Sequence, residues 1–96
     1  MIDEGCPLGE LIKWINYKNT QVMGGMKSAA RSVRECQKAC LRDPSCNGVD
    51  WDASAGRGYQ CWLHGPWSKH RKRYRGVTHY DMKRICISNG TLVVFS

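Results

Sequence analysis

The stretch Ser32-Val33-Arg34-Glu35-Cys36-Gln37-Lys38-Ala39-Cys40-Leu41-Arg42-Asp43-Pro44-Ser45-Cys46 decides how this chain of 96 residues is read. Ser32 followed three positions later by Glu35 is a capping box. The hydroxyl accepts from the Glu35 amide, and the carboxylate reaches back to the Ser32 amide. Val33, Cys36, Ala39 and Cys40 recur at helical spacing on one face, while Arg34, Gln37, Lys38 and Arg42 fall mostly on the other. Asp43-Pro44 ends the helix, because proline disfavours helical geometry at the residue before it. The stretch therefore predicts one short amphipathic helix with two cysteines on its buried side.

Downstream, Val49 and Trp51 alternate with Asp50, and Tyr59, Cys61 and Leu63 alternate with Gln60, Trp62 and His64. With the turn-forming DASAGRG at 52–58 between them, these segments predict an antiparallel hairpin. Upstream, Leu11, Ile12, Trp14, Ile15 and Tyr17 predict a short strand or an irregular apolar segment, and Gly24-Gly25 a turn. Beyond Gly65-Pro66 a basic loop is expected to Arg75, then a weakly alternating strand over 77–82 and another over 83–87. Asn89-Gly90 between apolar runs signals a hairpin turn, and Leu92-Val93-Val94-Phe95 is expected to pair with a sheet edge. Asn89-Gly90-Thr91 is also a glycosylation sequon, which makes Asn89 a candidate modification site.

Six cysteines in so short a chain read as a disulfide framework, and so as an oxidising, extracellular setting. Cys36 and Cys40 lie one turn apart with parallel side-chain directions, a poor geometry for bridging each other. Cys46 follows a short turn and can fold back towards Cys40. Cys61 lies on the strand face that meets the helix, a natural partner for Cys36. Cys6 and Cys86 are left near the two ends. Six cysteines allow about 15 connectivities, and spacing alone selects none. A zinc site competes poorly: C-x3-C-x5-C-x14-C lacks paired C-x2-C knuckles, and His64, His70 and His79 show no ligand spacing to the cysteines. No metal-ligand set and no cofactor are read from the sequence.

The helix with two cysteines one turn apart, the Pro44-Ser45-Cys46 turn and the strand cysteine Cys61 resemble the PAN/apple superfamily. The outer pair Cys6 and Cys86 resembles the apple form, and His79-Tyr80-Asp81-Met82 with Ile85-Cys86 looks like its closing strands. The resemblance covers residues 6–86, leaving 1–5 as an N-terminal extension and 87–96 as a tail that adds an edge strand. It implies an α+β fold, a small disulfide-stapled antiparallel sheet packed against one α-helix. It implies the bridges Cys6–Cys86, Cys36–Cys61 and Cys40–Cys46. It also implies an extracellular, non-enzymatic module that binds proteins or glycans. The family has no universal ligand motif, so the resemblance assigns no binding residue.

Net charge is +7, and Lys69, Arg71, Lys72, Arg73 and Arg75 carry so much of it that the remainder balances at +2. Such a cluster attracts polyanions through counterion release. Outside the cell the expected polyanion is a sulfated glycosaminoglycan such as heparan sulfate. Planar guanidinium groups can grip two sulfate oxygens at once. Trp67 and Tyr74 offer faces for sugar rings, and His70 completes the run. Two plainer readings compete, a solvated loop and a processing site. A different class of function is a purely protein-binding module, adhesive or self-associating, with no polyanion affinity. Nucleic-acid binding conflicts with the cysteines. No stretch suits membrane insertion. The first five residues lack the basic and apolar regions of a signal peptide. No nucleophile–base–orienter set, phosphate loop or acidic pair at meaningful spacing is present, and Asp50 with Asp52, two apart on one strand face, is a common pattern at loop edges.

Overall fold

The computed structural model describes residues 9–68, 70–88 and 91–95, with backbone only for 88 and 91–95. The elements are β1 (Glu10–Val22), β2 (Met26–Ser28), α1 (Val33–Arg42), β3 (Gly48–Asp52), β4 (Cys61–His64), β5 (Arg71–Ser88) and β6 (Thr91–Phe95). All strand pairings are antiparallel. The sheet order is β1-β5-β3-β4-β2, and β6 pairs separately with β5. Both outer strands are poor templates for further pairing. β2 has three residues, and β1 carries lysines at 13 and 18.

The helix begins where the sequence predicts. Ser32 is extended, and its Oγ accepts from the Glu35 amide at 3.1 Å. The reciprocal contact differs from expectation: Glu35 Oε1 accepts from the Arg31 amide at 2.9 Å, one residue upstream of Ser32. Either route satisfies a donor just before the helix. Ser32→Ala is expected to lower stability by about 1 kcal/mol in urea denaturation. At the other end the Asp43 carboxylate accepts from both the amide and the hydroxyl of Ser45, at 3.0 and 2.8 Å. These bonds fix the turn that returns Cys46 to the helix, and they hold the Asp43 carboxyl below its ordinary range.

The helix lies on one face of the sheet. Its contact with β3 and β4 encloses Cys36, Cys40, Cys46, Val49, Cys61 and Met82, with Ile12, Trp14, Trp51, Leu63 and Tyr80 around them. The registers explain the selection. Val49 sits between Leu63 and Tyr80, Trp51 opposite Cys61, and Trp14 opposite Met82, so all project to the helix side. Cys36 is bonded to Cys61 and Cys40 to Cys46. Cys86 is also disulfide-bonded. Its expected partner, Cys6, lies outside the described residues, as do Lys69 and Asn89-Gly90.

Three expectations require correction. The segment from Glu10 is one strand of 13 residues rather than a short or irregular piece. The two strands expected over 77–87 are one strand of 18 residues. The basic loop ends at His70, because residues 71–75 open that same strand. Pairing between β1 and β5 from Glu10↔Cys86 to Val22↔Arg71 makes both long strands possible.

That ribbon is interrupted once. Lys18 pairs with Thr78 but Thr20 with Arg73, so Asn19 alone opposes residues 74–77. Asn19 and Gly76 both take positive φ, 52° and 89°. The Asn19 side-chain Oδ1 accepts from the Gly76 amide at 3.2 Å. Asparagine and glycine are the residues that occupy this region at least cost. Bulges bend and twist a ribbon. Beyond this one, the Val22 amide reaches the Asp50 carboxylate and the Met23 amide reaches the His70 carbonyl. The end of β1 and the segment before β5 thereby meet the sheet face opposite the helix.

Candidate functional site

Two groupings of side chains stand out, one charged and open, the other polar and closed. The open one lies at the bulged end of the ribbon. Tyr17, Lys18, Asn19 and Thr20 of β1 and Arg71, Lys72 and Arg73 of β5 line a shallow surface cleft. Cross-strand pairing sets it up: Thr20 opposes Arg73, and Gln21 opposes Lys72. The Arg71 guanidinium lies 4.1 Å from the centre of the Tyr17 ring and 3.6 Å from the Asp81 carboxylate. Its position is therefore fixed and its charge partly balanced. Among the described residues, Lys18, Lys72, Arg73 and Arg75 make no ion pair.

The other described residues singled out from sequence are not part of its lining. His70 is exposed just before β5. Tyr74 and Arg75 are exposed within the bulge, opposite Asn19. Trp67, 40% exposed, lies against Gly65, where an added Cβ would come within 2.4 Å of its ring. The β1 half of the cleft was missed in the sequence because it becomes adjacent only through strand pairing.

The closed grouping consists of Asp50, His64 and His79, which are 2%, 1% and 3% exposed. They come from β3, β4 and β5, on the face opposite the helix. Asp50 pairs directly with His79, and His64 with Gly48, two residues from Asp50 on the same face. His79 Nδ1 lies 2.7 Å from Asp50 Oδ1. An ionised carboxylate only accepts, so the ring donates. Asp50 Oδ2 accepts from the Val22 amide at 2.9 Å. His64 Nε2 is 3.0 Å from Asp50 Oδ2, yet it is not aligned for a hydrogen bond and has no partner in one. Burial acts most strongly on Asp50 and favours its protonated form. The contacts with His64, His79 and the Val22 amide together outweigh it, holding the carboxyl below the usual carboxylate range.

Two glycines make room for these rings. An added Cβ at Gly25 would stand 2.7 Å from His64 Cε1. One at Gly48 would stand 2.9 Å from the Tyr80 carbonyl oxygen and 3.1 Å from His79 Cε1.

A single helix bridged to an inner strand of an antiparallel sheet, with a second bridge closing the turn after it, defines a small disulfide-stapled α+β scaffold. The family model for the PAN domain matches residues 15–64, from β1 to the end of β4. The chain belongs to the PAN domain family. Modules of this family bind proteins or carbohydrates and are not enzymes. No curated protein and no solved structure matches the chain. Among the described residues, no helix is long and apolar enough to cross a membrane.

Proposed function

We propose that this PAN domain is an extracellular recognition module for sulfated glycosaminoglycans, which dock on the cleft between the ends of β1 and β5. The observation that carries this reading is the convergence of Lys18, Arg71, Lys72 and Arg73 on one open cleft. Only one of the four, Arg71, has a carboxylate partner among the described residues. A strand presents cations along a line, which suits a linear polyanion better than a collapsed loop does. Tyr17 beneath Arg71 holds one guanidinium in place, reducing the entropy lost on binding. Tyr74, Arg75 and His70 flank the cleft and extend the same field.

Heparin-affinity chromatography tests the proposal. Lys72→Glu with Arg73→Glu is expected to elute at markedly lower salt than the parent chain. These two side chains are exposed and free of ion pairs among the described residues, so the fold should be unaffected. The salt dependence of affinity should weaken by about one power of salt concentration for each cation–sulfate pairing removed. An unchanged elution position would remove the cleft from the site and leave the protein-binding reading.

A further inference from the structure

We infer that Asp50, His64 and His79 form a binding site for one divalent transition-metal ion of the zinc class. The inference is independent of the glycosaminoglycan reading and concerns the opposite character of site, buried and nearly neutral. Each of the three residues offers one ligand atom, and these atoms all lie within 4.8 Å of one another. Two imidazole nitrogens and a carboxylate oxygen suit zinc, copper or nickel and disfavour calcium and magnesium, which require oxygen ligands. Three protein ligands with a fourth position for water is a common zinc arrangement.

The strongest observation is His64 Nε2. The side chain is 2% exposed, and this nitrogen faces Asp50 Oδ2 without a hydrogen bond. A buried polar atom left in this way keeps its desolvation cost without a compensating bond, and such atoms are uncommon enough to require an explanation. A metal ion would use its lone pair.

The surrounding partners are those a metal site needs. Ligating histidines are oriented by a polar group on the other ring nitrogen. His64 Nδ1 is 2.8 Å from Ser68 Oγ, and His79 Nε2 is 3.5 Å from Asp81 Oδ1. His64 Nε2 and His79 Nδ1 face Asp50, and for Nδ1 to ligate, the proton it donates to Asp50 would move to Nε2, on the side of Asp81. The carboxylate is itself steadied by the Val22 amide. Space and access are also provided. Gly25 and Gly48 admit the two rings. Surface clefts of about 170 and 150 Å³ reach the cluster from two sides, one bordered by Asp50 and His64, the other by His64 and His79.

Such an ion would tie β3, β4 and β5 together on the face opposite the helix. The described pairings Cys36–Cys61 and Cys40–Cys46 lie on the helix face. The metal would thus serve as a staple for the other side.

The test uses the oxidised full chain after chelator treatment. Calorimetric titration with zinc chloride at pH 7.4 should give one ion per chain. The thermal midpoint should rise by about 10 °C or more when free zinc is about a hundredfold above Kd, and EDTA should reverse the rise. Imidazole nitrogen resonances of the parent protein should shift for His64 and His79. His64→Gln should abolish the site. Because that variant can misfold, Ser68→Ala is measured beside it, with affinity expected to fall about tenfold or more through loss of the orienting hydroxyl. Absence of zinc binding would overturn the proposal. So would binding whose imidazole shifts fall on exposed His70 while those of His64 and His79 stay unchanged.

Discussion

Replacing Cys36 and Cys61 together by alanine is expected to lower the free energy of unfolding by about 3.5 kcal/mol. The bridge spans 25 residues, and closing a loop of that length restricts the unfolded chain by about this amount. Both sulfurs are buried at the centre of the helix–sheet contact, so the paired substitution also removes packed volume there. Its neighbour Cys40–Cys46 spans six residues and should contribute about 2 kcal/mol by the same reasoning. The order follows from position as well as loop length. Cys61 joins the helix to β4, whereas Cys46 joins it to the turn that already follows it, a turn independently held by Asp43 and Ser45. Urea denaturation at 25 °C without reductant measures both. A loss below about 1 kcal/mol for the Cys36/Cys61 pair would mean that burial alone keeps the helix in place. It would also remove the physical reason for regarding this bridge as the staple of a small domain.

The helix and the β3–β4 hairpin were legible because their signals are local. Ser32, Glu35, the 36/40 spacing and Pro44 act within one or two turns of chain, and the alternation of Val49-Asp50-Trp51 needs only its own residues. The long ribbon was not legible for the opposite reason. Arg71-Lys72-Arg73-Tyr74-Arg75-Gly76 has the charge density and the glycine of a loop, and only pairing with residues 20–22 draws its first part into a strand. The same pairing completes the basic cleft, so the β5 cations were visible in sequence while Tyr17, Lys18, Asn19 and Thr20 were not. Asp50, His64 and His79 were further from recognition. They are 14 and 15 residues apart, outside any local period, and each looks ordinary in its own segment. Strand register alone makes them neighbours. The one available hint was the face assignment: Asp50 alternates away from Val49 and Trp51, and His64 away from Cys61 and Leu63, so both leave the helix side together. A carboxylate and an imidazole sharing the second face of a small sheet require a reason to be buried there.

Asp50→Ala is expected to destabilise the chain by about 3 kcal/mol at neutral pH, measured with EDTA present so that no metal contributes. Two buried donors lose their acceptor, the Val22 amide and His79 Nδ1, and each costs roughly 1–3 kcal/mol when left unsatisfied. The effect would extend beyond the immediate neighbours, because the Val22 bond secures the end of β1 against the second face of the sheet. The pH dependence has a definite sign. The folded chain holds the Asp50 carboxyl below the ordinary value of 3.8, so the native state binds this proton less readily than the unfolded one. The stability Asp50 supplies is therefore complete above about pH 4. It is lost as pH falls through the lowered folded value, and neutral or alkaline conditions leave this contribution unchanged. The gap between parent and variant should accordingly be constant from about pH 5 to 7 as far as Asp50 alone decides it, and should narrow only in acid. Urea midpoints taken across this range would show it. A variant as stable as the parent at pH 7 would show that the Val22 and His79 donors find other partners, and that the second face closes without the carboxylate.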